Sequence, residues 1–114
     1  MGAPERSPPA DLYFHITTRE AWEHARAAGV YVAASLTSVG FIHLSLDRQW
    51  PLARTRFFAG ATDLVLLVID PRRLTHEVRF EPADGDSFPH LYGALNLDAV
   101  AEVRVVPDRP EGTT

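Results

Sequence analysis

The sequence predicts a small α+β domain: a mixed or split β-sheet of five to six strands with two helices. Three observations predict it. Short β-branched and aromatic stretches recur along the chain at strand length. Two other stretches carry helix start and stop signals. The order is strand, helix, strand, helix, then a run of strands, which does not repeat the βα alternation of a doubly wound sheet.

The first strand is expected over residues 12–17, Leu-Tyr-Phe-His-Ile-Thr. Its alternation sets Tyr13, His15 and Thr17 on one face and Leu12, Phe14 and Ile16 on the other, the core face. A helix should follow at once. Thr17-Thr-Arg-Glu20 fits a capping box, Ala21, Trp22, Ala25 and Ala28 form an apolar stripe, and Gly29 is placed to end it. Residues 30–36 read as extended, with a turn at 38–40. Phe41-Ile-His-Leu-Ser45 reads as a second strand, with Ser45 as the N-cap of the next helix. Pro51 is tolerated only in a first turn, so regular helix should begin close to Trp50 and run to about Phe58, with Gly60 at its end.

The nearly continuous apolar run over residues 64–69 is the pattern of a central strand covered on both faces. Residues 70–74 read as a turn with one helical turn. Residues 77–81 alternate as a strand, with Val78 and Phe80 on one face and Arg79 and Glu81 on the other. Residues 83–87, with Asp84-Gly85, read as a polar loop. Pro89 and Gly93 make residues 88–93 irregular, and residues 97–106 supply the last strand.

Composition bounds the function. A chain of 114 residues fits one domain, expected over residues 11–106, between a Pro-rich N-terminal tail (1–10) and a C-terminal tail (107–114). The eleven cations are all Arg, against fifteen acidic residues. A net charge of −4 makes nucleic acid or an anionic membrane a poor partner. The absence of Cys removes disulfides, thiolate chemistry and Cys-based zinc sites. The longest apolar run is far short of the roughly 20 residues of a membrane span. Residues 1–10 lack the apolar core of a signal peptide, so a soluble cytoplasmic protein is expected.

Chemistry gathers on histidine. His15, His43 and His90 stand in apolar and aromatic surroundings, whereas His24 and His76 are expected to face solvent. His15 and Thr17 share one strand face, and His43 and Ser45 share another. Each imidazole, taken singly, is compatible with a structural residue satisfied by backbone or hydroxyl partners. A tris-His metal site is the sharper alternative, although no His-x-His or His-x-x-x-His spacing supports it. Glu81, with Arg79 two residues earlier on the same face, is either a catalytic carboxylate held by its Arg or an exposed ion pair. No Gly-rich phosphate loop and no Gly-x-Ser-x-Gly elbow is present.

A series of motifs then resembles one bacterial family. His15-Ile-Thr-Thr, Gly29-x-Tyr31, Gly40-Phe-Ile-His-x-Ser45, Arg56-Phe-Phe, Glu81, Phe88-Pro-His-x-Tyr-Gly93 and Leu97-Asp-Ala-Val100 closely resemble the DUF952 family over residues 12–106. Thr55 and Ala94 depart from the Asn and Pro expected there. The resemblance implies an ADP-ribosyltransferase-like fold, a split sheet with a cleft for NAD. It implies His15, His43 and Glu81 as catalytic residues, with His15 on the nicotinamide ribose and Glu81 stabilising a cationic sugar. It implies Ser45, His90 and Tyr92 as ligand-binding and NAD as a substrate. Thr17, Arg56 and Arg79 are further candidate ligand-binding residues, and no resident metal is expected.

Three functions fit such a cleft: ribosyl or phosphoribosyl transfer, small-molecule binding without turnover, or general acid–base chemistry on an unrelated metabolite. The partner in each case is a small molecule. The chain would be a monomer, or a homodimer through Trp22, Trp50 and the exposed part of Phe57-Phe58.

Overall fold

A computed structural model describes residues 12–83 and 85–108. The expected tail over residues 1–10, residues 109–114 of the second tail and Asp84 of the expected loop lie outside the described residues. The chain runs β1 (Tyr13–Thr18), α1 (Arg19–Ala28), β2 (Val30–Tyr31), α2 (Ala34–Ser38), β3 (Ile42–His43), α3 (Trp50–Phe57) and β4 (Leu64–Ile69). A 3₁₀ turn at Pro71–Arg73 follows, then the hairpin β5 (Val78–Ala83) and β6 (Asp86–Leu91). β7 (Leu95–Asn96), a second 3₁₀ turn at Leu97–Ala99 and β8 (Val100–Val106) complete the fold.

The fold is α+β. The counts differ from expectation: among the described residues there are eight strands in three sheets and three α-helices. β4 is the centre of the sheet β1-β4-β8, antiparallel to both neighbours. All six of its residues are buried, which is why that stretch is apolar without alternation. One face carries Tyr13, Val65, Leu67 and Ile69 against Ala25 of α1, Tyr31 and the inner side of the sheet β3-β6-β5. The other carries Phe14, Ile16, Leu66 and Val68 against Trp50 and Phe58 at the two ends of α3. β1 therefore has two buried faces rather than the single core face expected of it.

Several local expectations are corrected. The N-cap of α1 is Thr18, whose hydroxyl accepts from Ala21 N at 3.0 Å; Thr17 is the penultimate strand residue. Ser45 caps no helix. Its backbone pairs with Phe14 (Phe14 N to Ser45 O, Ser45 N to Phe14 O, both 2.7 Å), and α3 begins five residues later with Pro51 in its first turn.

Part of the expected extended run is the one-turn helix α2, too short to show helical periodicity. The expected irregular segment at 88–93 is largely β6. Pro89 is tolerated there because its carbonyl accepts from Leu44 N (3.0 Å) just past the end of the two-residue β3, so its missing N–H costs one bond at the ladder's end. Beyond β8, Pro107 and Asp108 are tied back: Arg54 donates to both of their carbonyls, at 3.1 and 3.0 Å. Among the described residues no helix is long and apolar enough to cross a membrane.

Candidate functional site

The site lies where the two larger sheets meet. The reciprocal Phe14–Ser45 bonds join β1 to the chain leaving β3, and β3 pairs with β6 so that His43 stands opposite His90. Three short-range devices aim the side chains. The Ser35 hydroxyl donates to Phe41 O at 2.8 Å and fixes the start of β3. Phe41 then stacks on the His90 ring, 4.0 Å between centroids and 13° between planes. Tyr92 N donates to Glu77 O at 2.8 Å, which brings the end of β6 back over β5.

Around this junction opens a cavity of about 410 Å³. β1 contributes Phe14, His15 and Ile16; β3 and the residues after it contribute His43, Leu44 and Ser45. α3 and its C-cap supply Ala53, Phe57 and Phe58, and the hairpin supplies Ala83, Phe88 and His90. Apolar and aromatic side chains make most of the wall, and its polar side chains are three imidazoles and one hydroxyl. That is the make-up of a small-molecule site, in which few polar groups orient the ligand.

The imidazoles differ in their electrostatics. His15 Nδ1 lies 2.6 Å from the His43 carbonyl and Nε2 lies 2.9 Å from the Tyr31 hydroxyl. Burial pushes its pKa down to about 4, so the ring is neutral at pH 7. A neutral ring that donates at Nδ1 must accept at Nε2. The Tyr31 proton therefore serves Nε2, and Thr17 Oγ1, 3.0 Å from the Tyr31 oxygen, completes the chain. Both nitrogens of His15 are thus committed. His43 is also held below the usual imidazole value, first by partial burial of its ring and then by the nearby His90.

His90 is arranged differently. Its Nδ1 is 2.7 Å from Glu81 Oε1, and the Tyr92 hydroxyl donates to the same carboxylate at 2.7 and 2.8 Å. These bonds, Tyr92 first and His90 second, hold the Glu81 carboxyl below the usual carboxylate range. Glu81 is consequently ionised at pH 7 and can only accept, so His90 carries a proton on Nδ1. Among the described residues nothing partners Nε2.

The residues singled out from the sequence are thus distributed. His15, His43, Ser45 and His90 meet on one cavity wall. Glu81 and Tyr92 sit behind His90 and do not line it. Arg79 is not the partner of Glu81: it pairs with Glu77 at 3.1 Å and lies over the Tyr92 ring, 4.5 Å from its centroid. Thr17 is buried beneath Tyr31, and Arg56 is exposed on α3 outside the cavity lining. His24 and His76 are exposed. Among the described residues no group of three or more His, Asp or Glu side chains is disposed to hold a metal, and the committed nitrogens of His15 take it out of a tris-His set. Sequence reasoning missed Phe41 as the ring stacked on His90, and it missed Phe57, Phe58 and Phe88 as cavity-lining residues. Tyr31, visible within Gly29-x-Tyr31, was the available signal for the His15 anchor.

The profile of the DUF952 family, described as a protein of unknown function, matches residues 16–103. The chain belongs to the DUF952 family. This DUF952 chain is similar in structure to protein CC0527 from Caulobacter crescentus. The crystal structure of CC0527 is 32% identical with a TM-score of 0.78, covering 84% of this chain and 86% of that one. Its solution NMR structure is 33% identical with a TM-score of 0.69, covering 81% of each chain. No curated protein matches the DUF952 chain significantly. Of the motifs that carried the family resemblance, those around His15, His43, Phe57 and His90 supply cavity-lining residues, and Glu81 and Tyr92 form the cluster behind His90.

Proposed function

We propose that this DUF952 chain binds a small ligand bearing a flat heteroaromatic ring in the His-walled cavity, and that His90, oriented by Glu81, is the general base acting on it. The observation that carries the reading is the Glu81–His90 pair, which sets His90 on the wall of a mostly apolar cavity. A carboxylate that fixes the imidazole tautomer leaves Nε2 as a lone-pair acceptor, and a positioned base of this kind contributes roughly 10²- to 10⁴-fold to a proton transfer. Phe57, Phe58 and Phe88 offer flat apolar surface for a ring.

Within the ADP-ribosyltransferase-like reading, the ligand is the nicotinamide ribose end of NAD. His43 and Ser45 then anchor sugar hydroxyls, and Glu81 acts through His90 rather than directly on the sugar. His15 serves as a positioning residue, holding the His43 carbonyl through Nδ1. No Arg lines the cavity, so a diphosphate would lie outside it.

The test is thermal unfolding of the full chain with nicotinamide, NAD, ADP-ribose and ribose 5-phosphate, since a ligand of the native state raises the melting temperature by mass action. The expected result is a saturable rise with nicotinamide and NAD that His90→Ala removes and Glu81→Gln retains. Nicotinamide release from NAD, with water attacking the sugar carbon as His90 takes its proton, should fall by at least tenfold in Glu81→Gln. No rise at millimolar ligand, or a rise that survives His90→Ala, overturns the reading.

A further inference from the structure

We propose that β8 is a self-association edge, through which two copies of this chain pair antiparallel with Val103 on the two-fold axis. β8 pairs with β4 on one side, and among the described residues nothing pairs with its other side. The five residues 101–105 are all exposed, with Val103 at 41% and Val105 at 69%. Register places Val103 opposite Leu67 and Val105 opposite Val65, so the apolar face of the sheet runs past its cover at this edge. Glu102 and Arg104 stand on the other face, bonded to each other at 3.0 Å. β8 carries a bulge near its start, where Ala101 has no opposite residue on β4, and the ladder is regular over residues 102–106. An open regular edge with one apolar face templates pairing with another strand unless something protects it.

The identity of the partner follows from the sequence of the strand. Within β8 the stretch 101–105, Ala-Glu-Val-Arg-Val, is complementary to itself about Val103. In that register Glu102 faces Arg104 of the partner subunit, twice, and Ala101 packs beside the partner's Val105. A slip of two residues either way sets Glu against Glu or Arg against Arg, which is destabilising. A slip of one sets Val against Arg. The pattern thus selects a single pairing, and that pairing is isologous, so it closes as a dimer and cannot extend into a fibre. The result is one continuous six-stranded sheet, β1-β4-β8 followed by its two-fold copy.

The experiment is analytical ultracentrifugation of the full chain at rising concentration into the sub-millimolar range, with circular dichroism confirming the fold of each variant. The wild type should dimerise. Glu102→Arg puts Arg against Arg and Arg104→Glu puts Glu against Glu, so each variant alone should be monomeric. An equimolar mixture of the two should dimerise again, because every introduced arginine then meets an introduced glutamate. A wild type that stays monomeric would mean the alternating charges protect the edge, and overturns the proposal. So does a dimer that neither substitution weakens, or a mixture of folded variants that stays monomeric.

Discussion

His15 turns the polarity of a strand into a structural constraint. A histidine at the junction of two sheets is admissible because each ring nitrogen has a partner, the His43 carbonyl on one side and Tyr31 on the other. Its lowered pKa has a consequence for stability. The folded chain binds fewer protons at this site than the unfolded chain between the ordinary imidazole value of 6.5 and about 4. Stability is therefore complete above that window and lost as pH falls through it, by about 2 kcal/mol between pH 7.5 and 5. The downward shift of His43 adds in the same direction. Urea midpoints of the wild type and His15→Gln at the two pH values check this. The variant should be less stable at pH 7.5 by about 1–3 kcal/mol, from partners left unsatisfied, and should show a clearly shallower pH slope. An unchanged slope would assign the pH dependence elsewhere.

Elements show where sequence reading works and where it stops. The buried run of β4 and the start of α3 at Trp50, with Pro51 in its first turn, were legible, because continuous apolarity and a fixed backbone angle are local properties. The hairpin β5–β6 was not. Pro89 argues against a strand until one knows that its neighbour β3 ends beside it. The same nonlocality hid the partner of Glu81. Arg79 shares its strand face, yet His90 reaches the carboxylate diagonally across the hairpin and Tyr92 arrives from beyond its end.

The start of α1 separates two adjacent threonines. Thr18→Ala should cost about 1 kcal/mol through loss of the cap, measured by chemical denaturation, whereas Glu20→Gln should cost far less. The reverse order would restore Thr17 as the cap. Gly93 is held by close approach: a Cβ there would collide with the His76 ring, which bonds Ala94 O at 3.0 Å. Gly93→Ala should therefore displace His76, seen as loss of protection at that turn in hydrogen exchange.

At the scale of the whole molecule, β4 is common to both halves of the core, and the cavity exists because the two larger sheets meet at Phe14 and Ser45 without merging. Leu66→Ala should destabilise the fold by about 2–5 kcal/mol, with the denaturant slope unchanged if the chain unfolds as one unit. The three histidines were visible in the sequence as residues, but their gathering on one wall depends on this splice and on the β3–β6 register, neither of which has a local signature.

Whether His90 presents a carboxylate-oriented imidazole to a ligand is read by nitrogen-15 NMR of the histidine rings. His90 should be protonated on Nδ1 at neutral pH, and its Nε2 resonance should move on titration with nicotinamide while both ring nitrogens of His15 stay fixed. A His90 ring with Nδ1 unprotonated, or an Nε2 resonance indifferent to the ligand, would contradict it.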